Sequence, residues 1–233
     1  MIAMMPINLK CTNVRCQIDH RLKVNDLPQA TPIVFVVGDD VSVRESLAPL
    51  IQSAGWQAET FASAKEFLSR PRTDVPNCLI LDVSLPDLNG LDLQNVLVAD
   101  RPDMPIVFVT GYADVPKAVR AMKAGAFEFL TKPFSDDTLI NAVLNAIDHS
   151  RASLKQKAEM DDLRARYSSL SEREREVMER VVTGRLNKQV GGELGISEIT
   201  VKAHRGRVMR KMKARSLAEL VTMKAKLGLT PTS

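Results

Sequence analysis

Four short apolar runs, each stopped by a polar or turn residue, and one weaker segment, all followed by helical spacing, constrain this chain more than any other feature. They are Ile33–Val37, the weaker Gln57–Phe61, Cys78–Leu81, Ile106–Val109 and Phe127–Leu130. Short runs bounded by turn residues mark strands buried on both faces, as in a parallel sheet. Between them, Val41–Ala54 places Val43, Leu47, Leu50 and Ile51 at helical spacing and ends at Gly55. Ser63, with Glu66 three residues on, caps a short helix to about Ser69. Gly90–Ala99 stops before Pro102, Val115–Ala124 closes at Gly125, and Asp136–His149 carries Leu139, Val143 and Ile147 on one face. Strand and helix in alternation predict an α/β domain over residues 32–148, a five-stranded parallel (βα)5 sheet covered on both sides.

In such sheets the functional crevice lies at the carboxyl ends of the strands. Asp39 follows the first strand, Asp82 the third, Thr110 the fourth and Lys132 the fifth, so all four are expected at one sheet edge. A lone strand-end Asp also serves to cap the next turn, and for Asp82 by itself that reading stands level with a chemical one. The company decides between them. Two nearby carboxylates repel unless a cation lies between them, and hard oxygen ligands with open water positions suit Mg²⁺. Lys132 offers a point charge for a phosphoryl oxygen, and Thr110 a hydroxyl. A carboxylate nucleophile with a cation, an ammonium and a hydroxyl is a site for accepting a phosphoryl group.

The net charge of +4 hides a split. Residues 32–148 hold 9 Lys/Arg against 16 Asp/Glu, a net of −7, whereas residues 171–233 hold 14 against 7, a net of +7. An acidic body joined to a basic tail predicts two domains with different partners. Residues 149–170 are charged, free of Pro and Gly, and read as a helical linker continuing the fifth helix. Leu154, Leu163, Tyr167 and Leu170 form only a thin apolar stripe, which favours a solvated linker over a dimeric coiled coil.

From Ser171 the chain reads as all-helical. Ser171 and Glu174 form a capping box, Gly184 ends that helix, and Asn187 starts a short second one. Gly195 turns the chain and Ser197 caps a third helix to about Met212, a helix-turn-helix spacing. Val201, Val208 and Met212 share its core face. No acidic residue occurs from Ile199 to Ala218 while seven basic ones do, which fits phosphate neutralisation.

Other classes drop out. The three cysteines, Cys11, Cys16 and Cys78, are too few and too scattered for a disulfide framework, and Cys78 reads as a small buried hydrophobe. No apolar run approaches the roughly 18 residues a membrane helix needs, and no signal peptide is evident, so the expected compartment is the cytoplasm without membrane partners. Residues 1–31 lack periodicity and read as a disordered extension, with short partner binding as the alternative.

The segments IVFVVGDD, CLILDVSLPDLNG and IVFVTGYADVPKAVRAMKAGAFEFLTKPF resemble, in order, the motifs of a response-regulator receiver domain, and the last is similar to the FixJ-like group. The resemblance implies a flavodoxin-like fold in which Asp82 accepts a phosphoryl group from a sensor histidine kinase and Asp39 and Asp82 hold Mg²⁺. It makes Thr110 and Phe129 the switch pair, places Lys132 on the phosphoryl group, and implies a cis Lys132–Pro133 bond. The family's two adjacent acids after the first strand become Gly38 and Asp39 here, with Asp40 one residue late as a candidate to compensate. Weaker Mg²⁺ binding and slower phosphorylation are expected. An aspartate-dependent phosphatase is disfavoured, because Ser84 stands where a second acid would be needed.

LNKQVGGELGISEITVKAHRGRVMRKMKARSLAEL resembles the LuxR-type helix-turn-helix, a four-helix domain. The resemblance puts Thr200, Lys202, Ala203, Arg205, Gly206, Arg207 and Arg210 at DNA, and Leu217, Leu220 and Val221 in a dimer contact. Gly191 and Gly192 depart from the usual Ala, at an expected cost of about 1 kcal/mol each. The implied whole is a non-enzymatic two-component transcription regulator. It would be an activator that dimerises on a two-fold promoter site and meets RNA polymerase. The alternative is a phosphorylation-independent DNA-binding regulator with a degenerate receiver.

Overall fold

The computed structural model describes residues 30–85, 87–111 and 115–228. The expectations placed on the N-terminal extension, Cys11 and Cys16 included, lie outside the described residues. Strands β1 (Ile33–Val37), β2 (Gln57–Phe61), β3 (Asn77–Asp82), β4 (Ile106–Thr110) and β5 (Glu128–Thr131) alternate with α1 (Val41–Ser53), α2 (Ala64–Ser69), α3 (Gly90–Asp100), α4 (Val115–Lys123) and α5 (Asp136–Ser168). All neighbouring strands run parallel, in the order β2-β1-β3-β4-β5.

Strand alternation divides the core in two. Phe35, Val37, Leu79, Leu81 and Phe108 pack with Phe67, Leu93, Leu97 and Ala121 of α2, α3 and α4. Val34, Val36, Ile80, Val107 and Val109 pack with Leu47 and Ile51 of α1 and Leu139, Val143 and Ile147 of α5. Cys78 lies in this second layer, where burial pushes its thiol far above the usual range and leaves it inert. The weak pattern of β2 follows from its place at the sheet edge, where Glu59 pairs with Arg70 at 2.8 Å. That hydrogen bond holds the Glu59 carboxyl below its ordinary pKa.

Helices α6 (Glu172–Val181), α7 (Asn187–Leu194), α8 (Glu198–Met212) and α9 (Leu217–Lys226) follow. The stripe on residues 149–170 is not solvated. Leu163 and Leu170 are buried, and Met160 and Tyr167 pack with them against Met178, Val208, Met212 and Leu220. The sparse stripe suffices because α5 gives one face to the sheet in its first half and another to α6, α8 and α9 in its second. The capping box at Ser171 forms, and Glu174 also takes Lys211 Nζ at 2.6 Å, an ion pair that holds its carboxyl below the ordinary range.

The two α7 glycines differ in their surroundings. A Cβ on Gly191 would stand 2.7 Å from the Ile196 carbonyl oxygen, whereas nothing lies within 4 Å of one on Gly192. The expectation that both merely weaken the helix is therefore corrected for Gly191, whose bare backbone admits the turn into α8. Gly192→Ala is expected to stabilise this domain by about 1 kcal/mol. Gly191→Ala should destabilise it by about 1–3 kcal/mol through forced backbone movement. Urea unfolding of the two variants should move in opposite directions.

Candidate functional site

The carboxyl edge of the sheet gathers the polar residues. Asp82 is the last residue of β3, and both its oxygens are engaged. Oδ1 accepts from the Ser84 backbone N–H at 3.0 Å, and Oδ2 lies 3.3 Å from Lys132 Nζ. Lys132 is aimed by the sheet itself, since its backbone N–H donates to the Thr110 carbonyl at 2.8 Å. The Lys132–Pro133 peptide is cis. Thr110 closes β4 and is buried, while the half-buried Phe129 of β5 holds its ring 6.0 Å from Phe108. Thus Asp82 and Lys132 touch, Thr110 is joined to Lys132 through backbone, and Phe129 lies in the core layer behind them.

Asp39 is exposed in the β1–α1 turn. Asp40 is committed elsewhere: its Oδ1 caps α1, accepting from Ser42 N–H at 2.9 Å and Val43 N–H at 3.4 Å. One oxygen of the late candidate donor Asp40 is thus engaged at the N-terminus of the helix it caps. Among the described residues no group of three His, Cys, Asp or Glu forms a metal cluster. Mg²⁺ is ordinarily held by one or two carboxylates with water and phosphate oxygens, and Asp39 and Asp82 supply two carboxylates at the carboxyl edge of the sheet.

Three neighbours were not legible as site residues. Arg44 Nη1 donates to the Gly38 carbonyl and pins the strand end next to Asp82. Asp87 accepts from the backbone N–H groups of Ala64 and Lys65, tying the loop after Asp82 to the start of α2. Gly90 packs directly on the Asp82 carbonyl. Arg44 follows the turn by helical spacing and could have been suspected, but the partners of Asp87 lie more than 20 residues away and no local pattern encodes them.

The second site is α8. Lys202, Ala203, Gly206, Arg207 and Arg210 are exposed, opposite the buried Val201, Val208 and Met212. Two of the expected DNA contacts serve the fold as well. Thr200 pairs its hydroxyl with Ser197 Oγ at 2.8 Å, and Arg205 Nη1 reaches Asn187 Oδ1 of α7 at 3.3 Å. Along α9 the expected dimer residues divide. Leu220 is fully buried, Leu217 packs half-buried against the α6–α8 core, and only Val221 is exposed. Leu220 is thereby corrected from contact to core. The face α9 leaves open carries Ala218, Val221, Thr222 and Ala225.

Comparison with known proteins is consistent along the chain. The family model of the response regulator receiver domain matches residues 34–144, and that of the bacterial regulatory proteins of the luxR family matches residues 168–224. Nodulation protein W of Bradyrhizobium diazoefficiens is 48% identical over 198 residues, covering 85% of this chain and 87% of that protein. The transcriptional regulatory protein FixJ of Azorhizobium caulinodans is 42% identical over 205 residues, covering 88% and 97%. The solved structure of the response regulator StyR superposes with a TM-score of 0.78 at 45% identity, covering 84% of this chain and 100% of that one. No described helix is long and apolar enough to cross a membrane.

Proposed function

The chain belongs to the response regulators that join a receiver domain to a LuxR-type DNA-binding domain, and from that premise we propose that Asp82 is its phosphorylation site and that the phosphorylated chain dimerises on DNA. The observation that carries the proposal is the Asp82 carboxylate held between the Ser84 N–H and the Lys132 ammonium at the carboxyl edge of the sheet. These contacts fix the orientation of an otherwise rotatable nucleophile.

The phosphodonor is a sensor kinase's phosphohistidine. An Asp82 oxygen forms a bond to phosphorus as the P–N bond breaks, and the imidazole leaves with the electron pair and takes a proton. When bound by Asp39 and Asp82, Mg²⁺ would neutralise charge on the transferring oxygens. Lys132 then exchanges its carboxylate partner for a phosphoryl oxygen. The Thr110 hydroxyl turns toward the same group, and Phe129 moves into the space behind it, altering the α4–β5 surface. That surface brings two chains together, and paired α8 helices meet a two-fold site. We place this in the cytoplasm, with RNA polymerase recruited and transcription activated. Asp82 acts here as a switch rather than as a turnover centre.

The loss of an acid at Gly38 and the commitment of Asp40 to its helix favour a second reading, in which DNA binding needs no phosphate. Intact-protein mass after incubation with Mg²⁺ and a small phosphodonor separates the two. One phosphoryl group on the parent and none on Asp82→Asn is the expected result. An unmodified parent would overturn the role of Asp82 and leave the second reading.

The open α9 face, rather than Leu220, is the proposed DNA-bound dimer contact. Val221→Asp is expected to weaken binding to a duplex carrying both half-sites about tenfold or more while leaving single half-site binding unchanged. Fluorescence anisotropy on the two duplexes checks this.

A further inference from the structure

We infer that Ile199 is a specificity residue of this regulator, reading thymine methyl groups on the floor of the major groove. The inference rests on α8 being the groove-entering helix. Among the described residues Ile199 is the most exposed large hydrophobic side chain, at 80%. Exposed apolar side chains occurring singly are ordinary and need no explanation. Position sets this one apart. At 3.6 residues per turn, Ile199 shares a stripe with Ala203, Gly206 and Arg210, diametrically opposite the core residue Val208. It stands in the first turn of α8, and the N-terminal residues of a recognition helix are those that reach base edges. It also opens the stretch from 199 to 218 that has seven basic residues and no acidic one, so the surface around it favours nucleic acid over an apolar protein partner.

The chemistry of the stripe narrows the ligand. Its first three members offer no side-chain hydrogen bond. Gly206 has nothing within 4 Å of where a Cβ would stand, so the middle of the helix can approach a surface closely. A mid-helix glycine weakens the helix, and nothing in the packing of this domain demands one there. The polar readers Lys202 and Arg207 flank the stripe, and Lys202 shares its charge with Glu198 at 3.5 Å. An apolar, close-approaching centre cannot recognise donors or acceptors. In the major groove it can recognise the one apolar mark that bases carry there, the C5-methyl of thymine.

The test uses the full-length chain with Mg²⁺ and phosphodonor, and a pool of random-sequence duplexes from which bound DNA is amplified and sequenced. The parent is expected to enrich a two-fold motif with one or more thymines at a fixed place in each half-site. Ile199→Ala should lose the preference there and keep it elsewhere, while Ile199→Val should retain it. Replacing those thymines by deoxyuridine, which removes only the methyl, should weaken the parent about fourfold per methyl and leave Ile199→Ala unchanged. The same motif and the same deoxyuridine sensitivity in parent and Ile199→Ala would overturn the inference while leaving DNA binding intact. A parent that enriches no motif would overturn both. The exposure of Ile199 makes misfolding of these variants a poor explanation for any loss, and equal thermal midpoints check it.

Discussion

Gly38→Asp is expected to bind Mg²⁺ about tenfold more tightly than the parent chain, since affinity for hard cations rises with the number of carboxylate ligands. The geometry permits the change. A Cβ on Gly38 would lie 3.7 Å from the Asp82 Cβ, an ordinary contact, and the backbone there is not in the left-handed region. The Arg44 bond to the Gly38 carbonyl uses main chain and survives the substitution. Of the two acids that follow, Asp39 is already counted as a ligand and Asp40 has one oxygen engaged in capping α1. Without the ion, the new carboxylate faces Asp82 at close range and should raise the pKa of one of the pair by like-charge repulsion. The variant should therefore be less stable than the parent in chelator near neutral pH, and that deficit should shrink as pH falls and a carboxylate takes up a proton. It should also gain more thermal stability from added Mg²⁺. Calorimetric titration gives the affinity, and melting in chelator against Mg²⁺ gives the linkage. Equal Mg²⁺ affinity in both chains would sink the argument that Gly38 is a lost ligand.

The sequence made the frame of this site legible because a parallel sheet writes its own pattern. Runs such as IVFVV in β1 and IVFVT in β4 must be apolar on both faces, and the polar residue that stops each run lies at the edge where the crevice opens. Asp82, Thr110 and Lys132 could therefore be placed from the chain alone. What could not be placed were contacts that depend on which turn meets which. Asp40 looked like a spare ligand because adjacent acids carry no mark of which one turns into the helix. The resemblance alone places Leu220 in a dimer contact, and its burial depends on which helices α9 packs against. The stripe on the second half of α5 looked solvated because its partners, Met178, Val208, Met212 and Leu220, come from three later helices. Gly191 and Gly192 read alike, although only one faces the Ile196 carbonyl. In each case the deciding fact is a tertiary neighbour, which local propensity and periodicity do not contain.

Gly90→Ala is expected to destabilise the receiver by about 2–4 kcal/mol, a large effect for one methyl group. A Cβ at this position would stand 2.5 Å from the Asp82 carbonyl oxygen and 3.1 Å from the Val83 Cα. Both are backbone atoms and cannot rotate aside as the end of a long side chain would. Overpacking commonly costs about 1–3 kcal/mol, and the upper part of that range or beyond applies when backbone must move. The strand end has little freedom to yield. Val83 N–H donates to Val109 of β4 at 3.4 Å, and the Val83 carbonyl accepts from Gly90 itself at 3.0 Å, so moving one strains the other. Asn89 caps α3 beside them, accepting from Leu91 N–H at 2.9 Å. The displaced atoms are those of the proposed acceptor residue, so the same substitution should slow phosphoryl uptake even where the domain remains folded. Gly111→Ala, where no atom lies within 4 Å of the new Cβ, is the control and should change stability by less than about 1 kcal/mol. Calorimetric melting of the two variants, with intact mass followed over time at a temperature where both are native, reads the two effects separately. A Gly90→Ala chain as stable as Gly111→Ala would mean that the turn after β3 has slack, and that Asp82 is held by Ser84 and Lys132 rather than by the packing beneath it.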